Sequence, residues 1–455
     1  MQNQNSPPKS LSRAESSVMG KALRDQVPRS SHGEWLPLPN RPDPLALLEE
    51  SNQGRLLELV PIRYGRMLAS PFTFLRGAAN IMASDLAETP KTGIKVQTCG
   101  DCHLSNFGGY GTPERNLVFD VNDFDETLAA PWEWDVKRLA SSIVVASRYL
   151  KLSDKISRAA AIAAVQSYRE HLHEYAQMTV LEAWYDHIGV ESLLSFTSHA
   201  KELKKLKSEV SKAKALKPVL ELHKLTKTVN GHRRFIDNPP LVFHESPEDP
   251  LALEMLSVFH KYRKTLREDA RILLDQYHLV DVAMKVVGIG SVGTRCGVAL
   301  LVAEDNDPLF LQIKEARPSV LEPYVGKSTY ENHAQRVVVG QHLMQASSDI
   351  FLGWTRGDSG HDFYLRQLRD MKTSVEIEGM SQTDLCGYSH LCGWALARSH
   401  ARSGKRCMIS GYLGQSDTFD QAIANFAVAY ADQNEQDYKK LVAAVEAGQI
   451  KAIQE

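Results

Sequence analysis

VQTCGDCHLSNFGGYGTPERNLVFDVNDFDE, residues 96–126, is the stretch on which the reading of the chain turns. Two β-like runs, Ile94 to Thr98 and Asn116 to Val121, each deliver polar groups at their C-terminal ends. The first supplies Asp101, His103 and Asn106; the second supplies Asp120, Asn122, Asp123, Asp125 and Glu126. Five acidic side chains this close in sequence repel one another unless a cation sits among them. An oxygen-rich set of this kind suits Mg²⁺ or Mn²⁺ better than zinc. Cys99 and Cys102 form a C-x-x-C pair with no second pair to complete a zinc site, so Gly100-Asp101 is read as a loop holding a carboxylate.

Outward from this stretch the chain is mostly helical. Pro131-Trp-Glu-Trp-Asp135 leads into VKRLASSIVVASRYL, an amphipathic helix with Asp135 where an N-cap would be. Residues 154–190 continue as long helix, and 249–278 return to helix. Upstream, Ser70-Pro71 opens FTFLRGAANIMASDLA, one helix ending before Pro90, with Arg76 read as a solvated residue on it. Residues 1–42 are rich in Ser, Pro, Asn and Arg without apolar periodicity and predict a mobile tail. The lysine-crowded segment 201–217 reads as a solvated helix face.

The pattern changes after Asp281. VAMKVVGIGSVGTRCGVALLVAEDNDPLFLQIKEA is a run of apolar strands around a glycine-rich turn and a second turn at Asp305 to Pro308. Gly288, Gly290 and Gly293 satisfy G-x-G-x-x-G, a weak signal alone. A dinucleotide fold needs a helix directly after the third glycine, whereas TRCGVALLVA predicts a strand. A glycine turn between strands, with Ser291 at its tip, can cover phosphates with bare backbone N–H groups. On the next strand Lys314 shares a face with Phe310 and Gln312, and a lysine in an apolar strand needs a partner. Glu331, near the start of the helix over 330–346, is the expected partner, with Glu322 and Glu315 as rivals. SDIFLGWTR and HDFYLRQLRDMK predict two more antiparallel strands, and 384–403, 418–433 and 435–447 predict C-terminal helices.

Bulk properties set the frame. With 455 residues the chain exceeds what one core organises, so two lobes are expected. A net charge of −2 argues neither for nor against nucleic acid and none is indicated, no apolar run approaches the length of a membrane span, and six scattered cysteines form no disulfide framework. The expected setting is a reducing cytoplasm.

Together these residues resemble the protein-kinase-like superfamily, especially its aminoglycoside and small-molecule phosphotransferase branch. Asp101, His103 and Asn106 in GDCHLSN look like that branch's catalytic loop, Asp123 like its metal-binding Asp, and Asp135 like a structural Asp on the following helix. Gly288, Gly290, Gly293 and Lys314 look like the phosphate flap and its lysine. Cys99 stands where that branch has His, and Arg295 replaces an apolar residue. More closely, SPFTFLRGAA, CGDCHLSNFG, NDFDETLAAPWEWDVKRLA, KVVGIGSVGTRC, LQIKEA and YLRQLRDMK resemble a bacterial family, the domain of unknown function numbered 2252.

The kinase resemblance implies an α+β, two-lobed, circularly permuted fold, because the catalytic loop here precedes the glycine flap and LCGWALARSHA (391–401) looks like the helix that would lead into that loop. The expected parts are a helix-rich lobe at 43–280, a small antiparallel-sheet lobe at 281–375 and helices at 376–455 rejoining the first. It further implies an ATP-dependent phosphotransferase acting on an unidentified small-molecule or protein hydroxyl acceptor. Asn106, Asp123 and Asp125 would hold Mg²⁺ or Mn²⁺, and Asp101 would take the acceptor proton. The alternatives are a nucleotidyltransferase, a nucleotide-binding pseudoenzyme and a two-metal phosphoesterase opened by Asp101-Cys-His103.

Overall fold

Every residue of the strands Cys296–Val302 and Pro308–Ala316 is buried, which requires cover on both faces of the sheet they share. The computed structural model, which describes residues 11–195, 218–368 and 373–454, shows what supplies it. Six antiparallel strands run in the order Gly353–Arg356, Asp362–Gln367, Pro308–Ala316, Cys296–Val302, His278–Lys285, Val242–Phe243. On one face Met255, Val258, Phe259 and Tyr262 of the helix Pro250–Arg263 pack on Leu311, Ile313, Phe363 and Leu365. Leu222 and Phe235 cover Val298, Leu300 and Phe310 on the other face. Beyond them that face opens on a cleft, toward which the period of two turns Gln312 and Lys314.

The larger core is helical. The helices Trp132–Tyr149, Asp154–Gln177, Gln382–Ser403 and Thr418–Glu446 bury Ile143, Val144, Leu172, Leu396 and Phe426 among themselves. At its edge toward the cleft, Lys95–Thr98 pairs with Leu128–Pro131, and Phe107–Gly111 pairs with Leu117–Val121. The chain is thus α+β with antiparallel sheets, and both strands expected in the 96–126 stretch are present.

Several expectations need correction. Residues 11–42 are not a mobile tail: Ser12 caps the helix Arg13–Ala22 through a capping box, and this helix lies against Arg406–Leu413. Its contact depends on a small residue, since a Cβ on Gly20 would sit 1.9 Å from the Met408 carbonyl oxygen. His32 is buried against the Tyr412 and Phe419 rings. The run after Ser70 forms two helices, Pro71–Gly77 and Ala79–Ala87, broken at Ala78. The long helix after 154 ends at Gln177 and resumes as Val180–Tyr185 behind a Thr179 cap. The helices Pro250–Arg263 and Glu268–Leu274 belong to the sheet's core, so the smaller lobe begins well before residue 281. The lysine-rich segment 201–217, residues 1–10 and the end of YLRQLRDMK lie outside the described residues.

Candidate functional site

The loop after Lys95–Thr98 is held by a carboxylate from another element. Asp135 lies inside the first turn of the helix Trp132–Tyr149 and is not its N-cap; its oxygens accept from the backbone N–H groups of Cys99 (2.7 Å) and Gly100 (3.0 Å). His400 Nε2 approaches the same carboxylate at 3.2 Å. Gly100, at φ +81°, lets the chain turn where a side chain would be strained. Beyond it Asp101 receives Arg138 at 2.5 Å, and its backbone oxygen accepts from the Asn106 side chain at 2.7 Å. Burial pushes the Asp101 carboxyl up against the pull of Arg138. His103 is buried, with Nε2 3.8 Å from Asp101 and Nδ1 without a hydrogen-bond partner among the described residues. Burial, with the Arg76 and Arg138 charges, drives its pKa far down, so it is a neutral imidazole. Cys99 and Cys102 are free, buried thiols raised by their surroundings, and among the described residues no group of three or more His, Cys, Asp or Glu is arranged around a metal position.

From the sheet side Lys314 crosses to the acidic loop. Its Nζ lies 2.6 Å from Asp125 Oδ2, and Tyr364, opposite Lys314 in the ladder, donates to Asp125 Oδ1 at 2.5 Å. Burial opposes charge on both groups, yet Asp123 and Asp125 hold the lysine pKa well up and Lys314 holds the Asp125 carboxyl below its usual range. The expected Glu331 partner does not reach: it is exposed, ahead of the Asn332 cap, and its carbonyl accepts from Arg356. Glu315 lines the cleft but pairs with Arg295, while Glu322 sits near His333. On the helix His333–Met344 it is Arg336 that turns inward, donating to the carbonyls of Thr127 (2.6 Å), Asp125 (2.9 Å) and Arg317 (2.8 Å).

The glycine-rich turn joins His278–Lys285 to Cys296–Val302, as expected from the absence of a helix signal. Ser291 Oγ lies 3.2 Å from Asp125 Oδ2. Among the described residues, chain neighbours aside, no atom lies within 4 Å of where a Cβ would stand on Gly288, and on Gly290 only the Arg76 carbonyl does, at 4.0 Å. The turn is not a free flap, however. Arg66 and Arg55 donate to the carbonyls of Val287 (2.6 Å) and Val292 (2.5 Å), the Leu56 N–H donates to Gly293, and Ile289 packs among Tyr64, Met67, Phe74 and Ile81.

One cleft of about 330 Å³ is lined by Asp101, His103, Asn106, Asp123, Asp125, Gly288, Gly290, Ser291 and Lys314. Of the expected site residues, Gly293 abuts Arg55 at the turn's far end and Glu331 lies outside. The Asp123 carboxylate accepts one bond, from the Asp125 N–H at 3.2 Å, and no cation lies within ion-pair distance of it among the described residues. The Asn106 side-chain oxygen, which lines the same cleft, likewise accepts no hydrogen bond among the described residues, and carboxylate and amide oxygens are the donor types that Mg²⁺ takes. Asp125 is instead engaged by Lys314 and Tyr364.

Arg76 corrects the solvated reading. It is half-buried, lines the cleft, has no ion-pair partner among the described residues, and its Nε lacks an acceptor. Its helix docks against the glycine turn, which draws it inward. Sequence reasoning also missed Arg138, Tyr364, Arg336 and Arg366. Only Arg138 carries a local signal: three residues after Asp135, it shares that residue's helix face.

The chain belongs to a family described as an uncharacterized protein conserved in bacteria (DUF2252), whose model matches residues 55–444. No curated protein and no solved structure matches it. No described helix is long and apolar enough to cross a membrane.

Proposed function

We propose that the cleft binds a nucleoside triphosphate with Mg²⁺ and transfers its terminal phosphoryl group to a hydroxyl acceptor, on a circularly permuted kinase-like frame. The observation that carries this reading is that Lys314 and the Gly288–Ser291 turn, remote in sequence from Asp101, Asn106 and Asp123, line one cavity with them. Lys314 would exchange its contact with Asp125 for α- and β-phosphate oxygens, and the open space at Gly288 and Gly290 would admit phosphate beside the backbone. Asn106 and Asp123 would hold the ion, whose chemistry is to neutralise charge developing on the transferred group. Asp101, already oriented by Arg138 and raised by burial, would accept the acceptor's proton.

The permutation is supported at the junction it requires. The helix Gln382–Ser403 ends with Ser403 Oγ 3.4 Å from the Gln97 carbonyl, and a Cβ on Gly404 would meet Val96 at 2.3 Å. That helix therefore abuts the strand entering the 99–106 loop, though it lies near the other end of the chain. The two-metal phosphoesterase loses ground, because no cluster of three ligands surrounds Asp101-Cys-His103 among the described residues.

Incubation with α-labelled and γ-labelled ATP over a metabolite and protein panel tests the proposal. Transfer of γ label, with a loss on Asp101→Ala of about 10²- to 10⁴-fold, is the expected result. Transfer of α label means nucleotidyl transfer, and binding without transfer means a pseudoenzyme; either replaces the proposal.

A further inference from the structure

The far end of the cleft, past Gly293, carries more positive charge than the proposed triphosphate chemistry uses. Arg55, Arg63 and Arg317 all line it. Their hydrogen-bond acceptors are neutral: Ser51 and Val292 carbonyls for Arg55, the Ser51 hydroxyl, Asn52 side chain and Gly77 carbonyl for Arg63, and the Ser51 and Gln53 carbonyls for Arg317. Among the described residues no carboxylate lies within ion-pair distance of any of the three. Arg63 is 2% exposed and its Nε has no acceptor among the described residues. Burial and mutual repulsion lower the guanidinium pKa values of Arg55 and Arg63, a cost that persists while nothing anionic lies among them. Two carboxylates in the cleft, Glu126 and Glu315, offset this only in part at Arg55. Glu315 is committed to Arg295, and burial pushes Glu126 up to about 7.

We infer that Arg55, Arg63 and Arg317 form a subsite for a phosphate group belonging to the acceptor, so that the acceptor is a phosphorylated hydroxyl compound. Three cations exceed the single charge of a carboxylate and suit a dianionic tetrahedral group with several acceptor oxygens. The acceptor assignment rests on the transfer proposed above, whereas the anion subsite itself does not. The trio and Asp101 line the same cleft, together with Glu126, whose backbone lies against Gly100 and whose side chain accepts from the Val320 N–H at 2.7 Å.

The test is calorimetric titration of the full-length protein with inorganic phosphate, sulfate and acetate, without nucleotide and then with saturating Mg·ADP. Phosphate and sulfate should bind and acetate should not. Arg317→Gln should weaken phosphate about tenfold, Arg317→Lys less, and Asp123→Asn under about twofold. Arg317 is the residue to change because its side-chain hydrogen bonds go to the Ser51 and Gln53 carbonyls at the C-terminal end of the helix Pro44–Asn52, so the variant is expected to keep the wild-type melting temperature; Arg55→Gln serves as a second probe. Phosphate binding retained under Mg·ADP supports the acceptor assignment. Competition by ADP overturns it, giving the trio to the donor nucleotide. No phosphate binding, or binding indifferent to Arg317→Gln and Arg55→Gln, overturns the subsite. Phosphate binding in a protein that ignores ADP leaves the subsite standing and removes the nucleotide reading.

Discussion

Asp120 and Asp125 sit five residues apart, and each meets a cation at 2.6 Å, Arg398 for the first and Lys314 for the second. In the first pair both side chains are wholly buried; in the second the Asp125 side chain is 28% exposed on the cleft. The same short contact thus serves two ends. Asp120 and Arg398 fasten the strand Leu117–Val121 to the helix Gln382–Ser403, with water excluded and nothing able to replace either partner. Asp125 and Lys314 join the acidic loop to the six-stranded sheet beside a cleft open to solvent, so their contact can be exchanged. Access, and not the distance between charges, separates the structural pair from the functional one.

Removing one partner from each pair sharpens that contrast. Arg398→Met should destabilise by about 3–5 kcal/mol in urea denaturation at pH 7, because Asp120 is left buried and uncompensated. Lys314→Met should lose about 2 kcal/mol or less, since Asp125 keeps Tyr364 and Ser291 and gains water from the cleft. The reverse order would break the comparison. A third buried amine, Lys137, has no hydrogen-bond partner among the described residues and lies 4.7 Å from the Phe426 ring centroid. Burial brings its pKa down to about 7 from an ordinary 10.5. Between those values the unfolded chain holds the proton and the folded one does not, so stability rises with pH from about 7 to 10. Lys137→Met should add about 1–3 kcal/mol at pH 7 and flatten that slope. The smallest effect belongs to Glu331→Ala, expected within about 0.5 kcal/mol in stability because the side chain is exposed.

What the sequence disclosed followed from local rules. Alternation placed Lys314 and Gln312 on one face, the residues after Gly293 signalled a strand in place of a helix, and the acidic cluster announced its need for a cation. What it hid depends on long-range register. Tyr364 meets Asp125 only because its strand pairs with Pro308–Ala316, and Glu331 was preferred as the lysine's partner because sequence cannot show that the helix start faces outward. The amphipathic stripe of Pro250–Arg263 says that it packs but not on which core, so the lobe boundary was drawn too late. The N-terminal helix escaped notice because Gly20 and Gly411, not an apolar stripe, let it approach its neighbour.

The central claim is that Lys314 and Asp123 face a shared triphosphate. Calorimetric titration of the wild-type protein, Lys314→Met and Asp123→Asn with ATP, with and without Mg²⁺, tests it most directly. The account predicts Mg²⁺-dependent binding to the wild type, at least about tenfold weaker in Lys314→Met, and binding to Asp123→Asn that no longer responds to Mg²⁺. No binding by the wild type, or equal Mg²⁺-dependent affinity in all three, would contradict it.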